Sequence, residues 1–516
     1  MQLRLPVSEP GKSRLTTATV ARNSAANFIR LGFTSAIAIF LPAYLTHRLP
    51  VEVYGAWVLI LQLGAYVSYL DFGIQTAVAK YIAEYDAAGD IAACGRCLSV
   101  AAAILTAAGI IGVLLSVGLA WSVPELFRRM PADLYTGVRI SIVLIGCSLS
   151  VNLVASVFSA VFLGLQRYDV PMVTNILGKV FYAVAICASV HFKTGLAVMA
   201  ASVAAANLLS GLIQVVAWKK LAAYIRLAIS AIDRGMLRSM LGYCAVLTVW
   251  SACVLVISGI DVTIVGHYSF GEVAFYSIAT SPTAFVLMLV GSVTAPLLPA
   301  SSALSTGRTA EQMGNVLVRA TRYGTLILLS SGLFLLIAGY PLLRLWVGPT
   351  YAAHSVQYLR ILLLANIIRQ LCAPYATMVV ATAKHAFATA SALTEAAVNL
   401  AASIWLARHY GAMGVALGTL VGSVVGVAMH FGVSMRYTTN LAIPRVRLFL
   451  QGIARPATMA LPTLLLLPRW WRADNPAMSL PVWLAWAATT VLIAWLLSMN
   501  SEDRGMIARL AGRFMS

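Results

Sequence analysis

About fourteen apolar stretches, each long enough to cross a bilayer, follow one another along almost the whole chain. A hydrocarbon core about 30 Å thick takes roughly 20 apolar residues per helix. Helices satisfy their own backbone groups in lipid, so repetition of this length dictates a helical bundle. Composition agrees: 10% of residues are charged and 60% hydrophobic, with a mean hydropathy of +0.86. A soluble domain carries roughly 25% charge, and this chain lacks the polar residues to cover such a surface. The expected fold class is an all-α polytopic membrane protein.

The spans read as 24–46, 54–73, 98–121, 138–163, 171–192 and 195–218, then 239–263, 273–299, 323–343, 356–382, 386–407, 412–434, 446–467 and 479–498. Residues 1–23 form a polar tail and not a cleavable signal, because the first apolar run is span-length and no small-residue cleavage site closes it. Counting Lys and Arg in the connections gives 22 on the side that holds both termini and eight on the other. By the positive-inside rule both termini are expected in the cytoplasm. The net charge of +19 then reflects topology and attraction to anionic lipid rather than nucleic-acid binding.

The organisation is duplicated. A six-helix N-lobe over 24–218 and a six-helix C-lobe over 239–434 flank a cytosolic linker at 219–238. Two appended helices over 435–498 and a cytosolic tail at 499–516 complete the chain, giving 12–14 transmembrane helices in all. An even number of spans per half makes this a parallel repeat. His47, Glu52 and Val53 recur 220 positions later as His267, Glu272 and Val273, and Gly195-Leu-Ala197 recurs 219 positions later as Gly414-Val-Ala416. Two lobes around a central cavity are the expected arrangement.

The residues also carry a family resemblance. Val53-Tyr-Gly-Ala-Trp57, Leu70-Asp-Phe-Gly73, Ala79-Lys-Tyr-Ile-Ala-Glu84 and Ala88-Gly-Asp90 form one set of motifs. Gly259-Ile-Asp261, Gly266, Gly271-Glu-Val273, Phe275-Tyr-Ser-Ile278, Leu345-Trp-Val-Gly348, Tyr351 and Tyr410-Gly-Ala-Met-Gly414 form another. Over roughly residues 24 to 435 the chain resembles Wzx-type polysaccharide flippases of the multidrug/oligosaccharidyl-lipid/polysaccharide exporter superfamily. The resemblance implies a MATE-like fold in a bacterial inner membrane. It also implies a cargo of polyprenyl-diphosphate-linked oligosaccharide for surface or extracellular polysaccharide synthesis, with membrane lipids and other polysaccharide-assembly proteins as partners. The chain departs from the family pattern at Asp261-Val-Thr263, where a basic residue usually follows the aspartate.

A charge at mid-bilayer costs roughly 2.5–3.5 kcal/mol on insertion scales, so each one needs a polar neighbour or a watery cavity. Arg30 lies in the first span with Asn27 on its face; Lys179 is central in the fifth beside Asn175; Arg369 is central in the tenth beside Asn366. Glu395 is the single deep acidic residue set against these three cations. Excess positive charge suits an anionic cargo, and the planar fork of arginine matches phosphate oxygens. Arg30, Asn27, Lys179, Asn175, Arg369 and Asn366 are therefore the candidate substrate-binding residues. Glu395 reads either as a structural partner of Arg369 or Lys179 or as an ion-coupling carboxylate. Asp71 and Asp261 are gate or capping candidates. The function expected is flipping by alternating access around a cationic central cavity.

Other features are mechanical. Gly414, Gly418, Gly422 and Gly426 repeat every four residues, which permits close helix contact. Pro42, Pro282, Pro296, Pro299 and Pro374 sit within spans, and the eighth span, with three of them, reads as the bent gate. The stretch Thr76 to Asp90 reads as an interfacial amphipathic helix. The seven cysteines are spaced irregularly, and Cys94-Gly-Arg-Cys97 has no second pair or histidine cluster beside it, so packing is expected rather than metal or redox chemistry. No cofactor is expected. A MATE-type cation or drug antiporter is the alternative, although acidic residues would then have to dominate the cavity. A membrane glycan polymerase or ligase is weaker still, since the longest external loop, 122–137, leaves little room for an active site.

Overall fold

The computed structural model describes residues 17–228, 233–294, 310–381, 386–438, 443–470, 480–499 and 504–505. Among them every regular element is helical. Ten helical stretches are long and apolar enough to cross a membrane, and one pair bent by 42° adds an eleventh. The contacts divide the chain into two compact units, Met1–Leu255 with Ser269–Ala274, and Val256–Tyr268 with Phe275–Ser516.

The first unit begins with α1 (Thr17–Thr46) and α2 (Val51–Ala65). A 3-10 segment, Tyr66–Asp71, then leads through Phe72 and Gly73 into α3 (Ile74–Ala88). Both connecting residues are left-handed, with φ of 51° and 76°. Gly89, also left-handed, ends α3, and the Asp90 carboxylate accepts the Ala93 N–H at 2.8 Å to start α4 (Ile91–Leu126). There follow α5 (Leu134–Gly164), α6 (Asp169–His191), α7 (Leu196–Leu221) and α8 (Arg234–Val254), the last capped by Asp233.

Helix α5 is the axis of this unit, packed on α2, α3, α4 and α7, while α1 packs on α6. Small residues let the backbones approach, since a Cβ on Gly109 of α4 would lie 3.1 Å from the Ser150 carbonyl of α5. Helix α3 corrects the interfacial reading of Thr76 to Asp90. Its apolar face, Ile74, Ala77, Val78 and Ile82, is fully buried against protein. Cys94, Cys97, Val157 and Phe158 share that core, as do Met236, Met240 and Cys244 of α8. The two cysteines of the Cys-Gly-Arg-Cys stretch are thus buried free thiols in apolar packing.

The second unit contains α9 (Asp261–Tyr268), most of α10 (Val273–Thr294), α11 (Ala310–Val347), α12 (Pro349–Gln370) and α13 (Ala373–Ala381). The 42° bend separates α12 from α13, with Pro374 in the first turn after it. Pro42 and Pro282 lie inside α1 and α10. Pro296 and Pro299, on which the bent gate rested, lie outside the described residues.

Helix α14 (Ala386–Met429) is two helices joined at Gly411, whose φ of 57° and ψ of −135° reverse the chain. The glycines repeated every four residues face back across this hairpin, Gly414 against Leu406 and Ala407, Gly418 against Ser403, Gly422 against Asn399 and Gly426 against Glu395. A Cβ at Gly422 would sit 2.6 Å from the Cβ of Asn399, so the two halves meet at backbone distance. C-terminal to this lie α15 (Leu461–Trp470) and α16 (Leu480–Ile493), and Trp486 donates its indole N–H to Thr463 at 3.0 Å between them.

Candidate functional site

Within the first unit a cavity of about 390 Å³ opens among α1, α3, α5, α6 and α7. Among the described residues on its wall Arg30 is the charged one; the rest are amides, hydroxyls and a few apolar groups. Asn152, Ser156 and Ser159 come from one face of α5, at spacings of four and three that put them in a single stripe. Thr174 and Asn175 come from the first turns of α6, Gln214 from α7, Gln75 from α3, and Tyr168 from the turn before α6. Such a volume falls in the range of small-molecule sites, at the scale of a headgroup rather than an entire glycan repeat.

Two polar bonds organise the wall. Ser159 donates to Gln214 Oε1 at 3.0 Å, which ties α5 to α7. Gln75 Nε2 donates to Asp71 Oδ1 at 3.2 Å. Asp71 ends the 3-10 segment two residues before Gly73, which is the N-cap of α3 and makes no side-chain cap bond.

Of the residues singled out from sequence, the structure brings Arg30 and Asn175 together in this cavity. Lys179 lies one turn beyond Asn175 but off the cavity wall, with its ammonium 5.5 Å from the ring centre of Tyr182. The side chain of Asn27 lies outside the described residues. On α7, Asn207 donates to Ser148 at 3.0 Å, Ser210 packs over Gly178, and Gln214 reaches the cavity. Gln75, Asn152, Ser156, Ser159 and Tyr168 were not picked out beforehand. The α5 stripe was visible as helical spacing of polar residues, whereas nothing local marks Gln75.

The second unit holds the other ionisable residues. Arg369 Nε donates to Glu395 Oε1 at 2.5 Å, with side chains 15% and 8% exposed, so each charge is neutralised out of solvent. Arg369 Nη1 also donates to Asn366 Oδ1 at 3.2 Å, while Asn366 donates to the Leu362 carbonyl. Gly426 makes room for the pair, since a Cβ there would lie 2.5 Å from Glu395 Oε2. Of the two partners open to Glu395, the structure selects Arg369. Asp261, at the start of α9, is buried and accepts the hydroxyls of Thr419 at 3.0 Å and Tyr276 at 3.2 Å. Nearby, Ser403 donates to Asn399 Oδ1 at 3.3 Å, which completes a buried polar layer along the α14 hairpin. Among the described residues no group of three or more His, Cys, Asp and Glu side chains converges as metal ligands would.

No protein-family model and no curated protein sequence matches the chain. Solved structures do. The chain is similar to lipid II flippase MurJ in an inward closed conformation, with a TM-score of 0.67 at 14% identity over 92% of this chain and 97% of that one. It is similar to a multidrug resistance MATE family transporter of the MOP superfamily in an inward-facing conformation, with a TM-score of 0.66 at 14% identity, covering 80% and 98%. A third is a MOP superfamily transporter from Pyrococcus furiosus Vc1 (DSM3638), whose binding pocket is described as reversed in polarity, with a TM-score of 0.56 at 15% identity, covering 81% and 95%. The fold is therefore MATE-like, as the sequence motifs implied.

Proposed function

We propose that this chain is a transporter that flips a polyprenyl-diphosphate-linked oligosaccharide across a bacterial inner membrane for surface or extracellular polysaccharide synthesis. The observation that carries the reading is the charge on the cavity wall. Arg30 stands there among amides and hydroxyls, and Glu395 of the second unit is held by Arg369. A site of this sign favours an anion, and a diphosphate presents oxygens in the geometry that a guanidinium fork matches. A cationic drug would meet repulsion from Arg30. Similarity to a lipid II flippase supports the lipid-linked class of cargo, and similarity to MATE transporters supports transport as the activity. Both termini are assigned to the cytoplasm from the Lys and Arg distribution, which puts the Arg30 end of α1 on the side where such cargo is made.

The test is complementation in the native host after deletion of the gene, with surface polymer and the leaflet of the lipid-linked repeat as readouts. The parent chain restores both. Arg30→Ala, expressed at the same level, lowers export at least tenfold, because a charge-assisted contact of about 1.5–3 kcal/mol is lost. Unchanged polymer after deletion would sink the flippase reading and leave the drug antiporter in its place.

A further inference from the structure

The cavity wall carries more than a cation, and its neutral groups are oriented. Gln75 gives its amide N–H₂ to Asp71, and a carboxylate only accepts, so the carbonyl oxygen of Gln75 is turned away from Asp71. Among the described residues no hydrogen bond reaches that oxygen, and Gln75 lines the cavity, so it stands as an open acceptor. Gln214 is set the opposite way. Its oxygen is occupied by the Ser159 hydroxyl, and its N–H₂ group remains as a donor at the cavity. Arg30 supplies a charged donor on the same wall, Asn175 adds an amide that both donates and accepts, and Ser156 and Thr174, whose O–H groups go to the Leu153 and Pro171 carbonyls, add acceptor oxygens.

An anion alone has no use for a fixed acceptor, because an acceptor facing phosphate oxygens repels them. A sugar ring has. Each of its hydroxyls donates one hydrogen bond and accepts others, so a wall with acceptors and donors at set positions suits a polyol beside an anionic group. Tyr168, the one aromatic side chain among the described residues of the wall, gives little of the π surface that binds organic cations.

We propose that the cavity of the first unit reads the first sugar of the cargo, with Gln75 accepting from a sugar hydroxyl or amide N–H and Asp71 acting as a positioning residue that holds the Gln75 amide in that orientation. The inference rests on the transport reading above. It adds that sugar recognition and diphosphate recognition are separable on one wall. Asp71 touches no cargo; it acts by denying Gln75 the alternative rotation, in which the amide would present a donor.

The experiment measures binding of defined lipids to the full chain in lipid nanodiscs. The probes are undecaprenyl diphosphate and its glucose-, galactose- and N-acetylglucosamine-bearing forms. Arg30→Ala weakens all of them. Gln75→Ala weakens at least one sugar-bearing lipid by about tenfold, the worth of one buried hydrogen bond, and leaves the sugar-free lipid unchanged. Asp71→Asn does the same, because an amide at that position accepts either rotation of Gln75. Equal loss for sugar-free and sugar-bearing lipids, or no loss for any sugar-bearing one, overturns the proposal. A lowered melting temperature in Asp71→Asn without a change in the ratio of sugar-bearing to sugar-free affinity overturns the positioning role. Failure of the parent chain to bind any of the four lipids is a different result, which removes the transport reading itself.

Discussion

Replacing Glu395 with alanine is expected to cost roughly 3–5 kcal/mol of stability, because it leaves a guanidinium buried without its counter-charge. Arg369 has little other support. Its Nη1 reaches Asn366, and its Nη2 is buried without a hydrogen-bond partner among the described residues. Arg369→Ala should cost a similar amount, since it strands the carboxylate instead. The paired change Arg369→Met with Glu395→Leu removes both charges and restores volume, and it should recover most of the loss. Thermal unfolding of the purified chain in detergent, followed by fluorescence-detected size exclusion, reads these differences. The same set separates the two roles open to Glu395. If the pair is structural, the apolar double variant keeps transport. If the double variant is stable but transports nothing, the carboxylate couples an ion.

The second large effect is steric. Gly422→Val is expected to prevent the α14 hairpin from closing, with loss of most folded protein. Even the first added carbon meets the Cβ of Asn399 at 2.6 Å and its Cα at 3.0 Å, and backbone cannot yield as a flexible side chain would. Overpacking of this kind costs about 1–3 kcal/mol where side chains can rearrange, and more where helices must separate. Gly432→Val is the matched control a few residues further on, because a Cβ there meets nothing within 4 Å. It should express as the parent does. Yields of monodisperse protein after solubilisation compare the two, and equal yields would mean that the hairpin halves do not meet at this register.

The glycine repeat illustrates what was legible beforehand. A residue type recurring every four positions defines a helix face, and the absence of side chains on it means close approach, whatever approaches. Which helix fills the groove is not written in that face. Gly411 and its left-handed turn bring the preceding half of the same hairpin back onto it. Asp71 stands out in the sequence as a charge near a glycine, yet its bond to Gln75 depends on the turn made by Phe72 and Gly73.

By itself the sequence determined the all-helical membrane class and singled out Arg369 and Glu395 as charges deep within apolar helices. These follow from local quantities: hydropathy summed over a span, charge density in connections, and the 3.6-residue period of a helix face. Only the tertiary structure decided between Arg369 and Lys179 as the partner of Glu395, and it put Lys179 off the cavity wall that holds Arg30 and Asn175. It also assembled that wall from five helices, with a donor and an acceptor oriented by Ser159 and Asp71. The reason is geometric. A hydropathic span is nearly indifferent to rotation about its own axis, and that rotation, set by packing against distant segments, chooses which side chains meet.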